Sequence, residues 1–165
     1  MIQVNGVVRE FHVKVFAIFL SLIYPFIMIY NIGILDSLSQ YWTTEFQPLF
    51  IISNIICSYF FFSLKNWKIP SFFLMLLTSF SWADYQLFHN IFAVCFYFSC
   101  LYCLFKINRY KFFRILYMIS ILAYPYSILL GEIITILILS SFHLKILLYK
   151  EKLEKRNTLN KKTNT

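Results

Sequence analysis

The sequence predicts an all-α integral membrane bundle of six transmembrane helices joined by short loops. The chain is 60% hydrophobic but only 13% charged, and its mean hydropathy is +0.69. Soluble domains carry about 45–50% apolar and about 25% charged residues. A soluble chain of 165 residues could not bury so many apolar side chains, because small folds leave much of their surface in water. The positions of the cations, described below, favour six spans.

Apolar runs long enough to cross a bilayer, which takes about 20 residues, mark the predicted helices. We expect spans at about 13–35, 46–64, 69–83, 87–105, 112–129 and 131–149. Pro70 suits the first turn of the third helix, and neighbouring helices would tolerate a kink at Pro25 in the first. Gly131 and Glu132 are expected to separate the last two helices. The alternative is five spans, of which the last is long and bent.

The domain organisation follows from these spans. Residues 1–149 are predicted to form a single transmembrane domain, and residues 150–165 a basic, disordered cytoplasmic tail rich in Lys and Asn. The first apolar run exceeds the roughly 7–15 residues of a signal-peptide core, and no A-x-A-like cleavage site follows it. We therefore expect it to be retained as the first span.

Positive charge is distributed asymmetrically along the chain. All 15 Lys and Arg residues fall on one side of a six-span arrangement, whereas the opposite loops contain Asp36, Glu45, Asp84 and Glu132 and no cation. The positive-inside rule then predicts cytoplasmic N- and C-termini in the inner, or plasma, membrane. Five spans would place the basic tail outside. The net charge of +8 is thereby interpreted as membrane orientation, and no nucleic acid partner is expected.

The stretch "SWADYQLFHN" at 81–90 places four polar side chains between two apolar runs. With the other outer turns it defines a candidate outer-face polar cluster. The cluster consists of Ser37, Ser39, Glu45, Asp84, His89, Asn90 and Glu132. Polar side chains at this level are either loop residues in contact with water or one shared mouth at the end of the bundle. Ionisable groups near a membrane interface and polar groups that converge on a pocket favour a shared site.

Three functions are compatible with this cluster. The first is a non-enzymatic, multi-pass membrane protein that binds a lipid or a membrane-protein partner through the mouth. The second is a membrane-embedded hydrolase or lipid-modifying enzyme, for which Ser37 or Ser39, His89 and Asp84 supply Ser-His-Asp side chains without a nucleophile elbow. The third is an accessory subunit of a larger membrane complex. No catalytic residue is assigned, and the pattern leaves open whether the chain is an enzyme.

No cofactor or metal is expected, because the chain has three histidines and only His89 falls on the outer side. His143 is interpreted as a histidine packed between helices. Tyr41, Trp42, Trp67 and Trp82 lie near helix ends, where an aromatic belt would place them.

The order of these features resembles the Frag/DRAM-like six-helix membrane family and its small bacterial relatives. The segment "SLSQYWT" follows the first helix, and "LFHNIFAVCFYFSCLYCLF" forms a helix that opens with His. The matching positions are Ser37, Ser39, Tyr41, His89, Ala93, Phe96 and Glu132. The outer loop between the fifth and sixth helices is shorter than in that family. The resemblance implies six helices and a shared outer site, but no particular activity.

Overall fold

The computed structural model describes residues 2–64, 66–107 and 110–163. This part of the chain is all-α, with 84% of residues in helices and no strand. Its elements in order are α1 (Ile2–Ile32), a 3₁₀ helix (Leu38–Thr43), α2 (Gln47–Phe62), α3 (Lys68–Ser79), α4 (Gln86–Lys106), α5 (Lys111–Ala123) and α6 (Ile128–Thr163). Each of the six predicted spans corresponds to one α-helix. Lys65 and Arg109, two of the cations used to predict orientation, lie outside the described residues.

Several helix boundaries differ from the prediction. α1 begins at Ile2 rather than at about 13, and α3 and α5 end at Ser79 and Ala123 rather than at about 83 and 129. α6 begins at Ile128 rather than at Gly131, because the chain turns at 124–127 and Gly131 already lies inside the helix. The same helix continues to Thr163, where the sequence indicated a disordered tail. The tail contains "KEKLEKR", whose Lys, Glu, Leu and Arg are all strong helix formers. Because adding residues to an existing helix costs far less than nucleating one, α6 extends through this segment.

Within the described residues, three helices are long and apolar enough to cross a membrane: Phe11–Ile32, Gln86–Lys106 and Ile128–Leu153. The other three have 16, 12 and 13 residues in α2, α3 and α5. At 1.5 Å per residue they extend about 18–24 Å, which is less than the roughly 30 Å of a hydrocarbon core. The structure thus shows a helical chain with three candidate spans.

Consecutive helices pack against one another, and α1 also packs against α6, so the bundle closes on itself. Polar side chains join several of these pairs. Between α2 and α3, Ser58 donates to the carbonyl of Ser71 at 2.8 Å, and Ser71 donates to the carbonyl of Ser58 at 2.7 Å. Between α1 and α6, the hydroxyls of Ser21 and Ser140 are 2.9 Å apart. Small hydroxyl side chains allow helix backbones to approach closely, as in membrane bundles.

Contacts between distant segments identify an acidic end of the bundle. The N–H of Leu129, in the first turn of α6, donates to the carbonyl of Asp36 at 2.9 Å. The segment after α1 therefore lies beside the turn between α5 and α6. Three of the four predicted outer acids, Asp36, Glu45 and Glu132, belong to these segments.

The opposite, basic end is identified in the same way. The thiol of Cys103, near the end of α4, donates to the carbonyl of Asn66 in the α2–α3 loop at 2.9 Å. The Nζ atom of Lys145 lies 5.7 Å from the ring centre of Tyr110 and 5.6 Å from that of Phe113. The two inter-helix loops and the Lys145 level of α6 thus share one end, which also carries Lys68, Lys106, Lys111 and Arg114.

Two aromatic residues expected in a membrane belt lie inside the protein instead. Trp67 is 3% exposed and Tyr41 is fully buried. The Trp67 ring contacts Phe61, Phe142 and His143, with centres 5.5, 5.7 and 4.4 Å away. Trp67 lies at the start of α3 as predicted and Tyr41 lies within the 3₁₀ helix, but both rings face the core.

Candidate functional site

An internal cavity of about 110 Å³ extends through the bundle between α1, α2, α3, α4 and α6. It provides several times the space that one water molecule requires. Its walls are formed largely by apolar side chains of all five helices, among them Ala17, Phe50, Phe60, Leu74 and Phe96. Such a cavity, apolar with a few placed polar groups, has the usual character of a ligand pocket.

One face of α6 forms a wall along the whole cavity. The lining residues of this helix are Glu132, Thr135, Ile136, Leu139, Ser140 and His143. Their spacing of three or four residues places them on a single stripe of an α-helix. Eleven residues separate the first from the last, which corresponds to about 16 Å of helix. The cavity is therefore elongated along α6, with Glu132 near the acidic end and His143 toward the basic end.

Glu132 fixes the segment that closes the acidic end. The N–H of Leu38 donates to Oε2 of Glu132 at 2.6 Å, and Leu38 also lines the cavity. The chain reaches this position after a turn at Gly33, whose φ of 98° is a left-handed conformation that favours glycine. The hydroxyl of Tyr41 donates to the carbonyl of Gly33, and burial raises the pKa of this phenol. Glu132 thus joins the start of α6 to the backbone of the segment that follows α1.

The two predicted serines form one pair. The hydroxyl oxygens of Ser37 and Ser39 are 2.9 Å apart, and both residues are buried. Ser39 lines the cavity, whereas Ser37 is connected to it through Ser39. The pair therefore contributes one hydroxyl to the lining at the level of Glu132.

His89 contributes a basic nitrogen. It lies in the first turn of α4, is 5% exposed, and lines the cavity. Its Nδ1 is 2.8 Å from the carbonyl of Phe80 in the preceding turn. A carbonyl can only accept a hydrogen bond, so Nδ1 carries the proton. In the neutral ring, Nε2 then has the lone pair.

The structure divides the predicted cluster into two groups and leaves Ser37 buried behind the first of them. Ser39, His89 and Glu132 line one cavity, and we name them the polar end of the cavity. Glu45, Asp84 and Asn90 are exposed and do not line it. In a Ser-His-Asp triad, Nδ1 of the histidine pairs with a carboxylate. Here that atom of His89 is bonded to Phe80, and the predicted acid, Asp84, points to the surface.

The sequence did not identify the polar residues in the middle and at the far end of the cavity. These are Ser21, Asn54, Cys57, Thr135, Ser140 and His143. The prediction that His143 packs between helices is correct, but the residue also lines the cavity. A signal was present in the sequence, because Thr135, Ser140 and His143 share one helical stripe with Glu132.

No group of three or more His, Cys, Asp or Glu side chains suited to hold a metal ion occurs within residues 2–64, 66–107 and 110–163. No protein-family model, curated protein or solved structure matches the chain.

Proposed function

We propose that this chain is a multi-pass membrane protein of six spans that binds a lipid-class amphiphile in the internal cavity. The ligand's polar group contacts Ser39, His89 and Glu132, and its apolar part lies along α6. The observation that carries the proposal is that these three residues, predicted from different segments of the sequence, line the same largely apolar cavity. The order of features that resembles the Frag/DRAM-like family is a further, weaker support.

Selectivity for the ligand would come mainly from the polar end of the cavity. An acyl chain in the bilayer is already surrounded by apolar groups, so its transfer into the cavity yields little hydrophobic free energy. Hydrogen bonds to the polar group differ, because each contributes about 0.5–1.5 kcal/mol net and more when one partner is charged. Changes at Ser39, His89 or Glu132 should therefore reduce binding more than changes in the apolar wall.

The position of the short helices α2 and α3 relative to α4 supports six spans. The α2–α3 loop contacts Cys103, 17 residues after the start of α4 at Gln86. If α4 crosses the bilayer, this loop lies close to the far boundary, so α2 and α3 cross as well. Asp36 on the segment before α2 contacts the start of α6, which is another candidate span. The segregation of cations at the basic end then favours cytoplasmic termini.

Lipid retention tests the binding proposal. The chain would be purified in mild detergent, and native mass spectrometry would measure the bound lipid. We expect wild-type protein to retain an amphiphile and His89→Ala and Glu132→Ala to lose most of it. Asp84→Ala is the matched control, since this side chain is exposed near the same end. Wild-type protein without lipid, or equal retention by all variants, would refute the proposal.

Topology is tested separately with reporter fusions. Alkaline phosphatase fused after Thr165 should be inactive and green fluorescent protein at the same site fluorescent, because we place the C-terminus in the cytoplasm. An insertion at Ser127, in the turn between α5 and α6, should give the opposite result. Phosphatase activity at Thr165 would contradict the six-span arrangement, whatever the lipid measurement shows.

A further inference from the structure

The far end of the cavity contains a buried polar atom without a partner. His143 is 2% exposed and lines the cavity. Its Nδ1 is 2.6 Å from the carbonyl of Leu139, one turn earlier in α6. Nε2 is buried and has no hydrogen-bond partner among the described residues. Leaving a buried polar atom unsatisfied is costly, and native structures seldom contain one without a reason.

The chemistry of this nitrogen is fixed by its surroundings. The Leu139 carbonyl can only accept, so Nδ1 carries the proton and Nε2 of the neutral ring presents a lone pair. Aromatic rings hold the imidazole in place: the centres of Trp67, Phe61 and Phe142 lie 4.4, 4.9 and 5.1 Å from it. Phe61 and Phe142 carry no donor, and the indole N–H of Trp67 makes no hydrogen bond to Nε2. Nε2 is therefore a hydrogen-bond acceptor to which no O–H or N–H group of the described residues donates.

We propose that the amphiphile carries a hydrogen-bond donor, such as a hydroxyl, at the end that reaches Nε2 of His143. This inference rests on the proposed function and specifies its ligand class. Because His143 lies about 16 Å along α6 from Glu132, the ligand has polar groups at both ends of an apolar chain. A buried water could supply the same O–H donor, and the experiment below distinguishes the two sources.

A matched pair of probes tests the inference. Dodecanediol has a hydroxyl at each end, whereas dodecanol has only one. Trp67 adjoins His143, so its fluorescence would report binding in a Trp42→Phe, Trp82→Phe background. We expect the diol to bind about fivefold to tenfold more tightly than the alcohol, which is the effect of one added hydrogen bond.

Two variants determine whether His143 causes the preference. His143→Phe keeps an aromatic ring but removes the acceptor, and the preference for the diol should disappear. His143→Gln retains a side-chain oxygen acceptor and should keep part of the preference, which also shows that the site tolerates substitution. Comparing the ratio of the two affinities between variants cancels the partitioning of both probes into detergent.

The outcomes separate this inference from the proposed function. Equal affinities in the wild-type background would overturn the inference, and this is the result if water already occupies Nε2, since displacing it gains nothing. A preference that survives in His143→Phe would overturn it as well. In both cases the Glu132-dependent retention of native lipid can still hold. If neither probe binds and no lipid is retained, the proposed function fails too.

Discussion

Replacing Gly131 with Ala should destabilise the protein, although Ala is the better helix former. A Cβ atom at this position would lie 2.7 Å from Cδ2, 2.8 Å from Cε2 and 3.0 Å from Cγ of Tyr124. Contacts this short require the ring or the helix to move. The Tyr124 ring is held by an edge-to-face contact with Tyr97, with the centres 5.1 Å apart. Glycine is therefore required at this position by the close approach of α6 to the preceding turn.

The magnitude follows from two opposing effects. Helix propensity favours Ala over Gly by about 0.5–1 kcal/mol. Overpacking a fixed site costs about 1–3 kcal/mol, and three contacts at or below 3.0 Å place Gly131→Ala in the upper part of that range. We expect a net loss of about 1–2 kcal/mol in the free energy of unfolding after these two terms are combined.

Unfolding in mixed micelles, followed by far-ultraviolet circular dichroism, would measure this loss. Tyr124→Ala provides the matched background, because without the ring the same Gly131→Ala change should become neutral or stabilising. A single Gly131→Ala variant at least as stable as the wild type would refute the reasoning. So would an equal loss of stability in both backgrounds.

Three further changes have expected outcomes. Glu132→Ala should lower the free energy of unfolding by about 1–3 kcal/mol and speed hydrogen exchange at the amide of Leu38. Glu132→Gln keeps an acceptor and should have a smaller effect on both. Equal exchange rates at Leu38 in the two variants would contradict the role of Glu132 as the acceptor for this amide. Ser58→Ala and Ser71→Ala should show a coupling of about 0.6 kcal/mol or more in a double-mutant cycle, and additive losses would indicate that the reciprocal bonds contribute nothing. Trp67→Ala should cost about 3–5 kcal/mol in thermal or denaturant unfolding, and a loss below about 1 kcal/mol would show that the ring is not in the core.

The order of the six α-helices in the described residues could be predicted from the sequence, because each depends on a local apolar run, whereas the 3₁₀ helix at Leu38–Thr43 was not predicted. The ends of the helices were harder to predict. Gly131 was interpreted as a helix breaker, but its missing Cβ instead makes room for Tyr124, a contact that no local pattern reveals. The extension of α6 to Thr163 was missed because polar composition was weighed above helix propensity.

The candidate site could be predicted only in part, because it too depends on contacts that no local pattern reveals. Polar side chains at the outer turns could be identified one by one, but sequence does not show which of them face inward. Ser39, His89 and Glu132 are directed into the cavity, whereas Asp84 lies at the surface five residues before His89. His143 was predicted only to pack between helices, and the cavity that gives it a second role is formed by five helices together.

The continuity of α6 has a mechanical consequence. Its 36 residues form one uninterrupted rod of about 54 Å that contains Glu132 and His143 and ends in the cationic segment after Tyr149. Rigid elements transmit displacements over such distances. Any tilt of α6 at Glu132 would therefore displace the cationic segment as a lever, because both lie on one continuous helix.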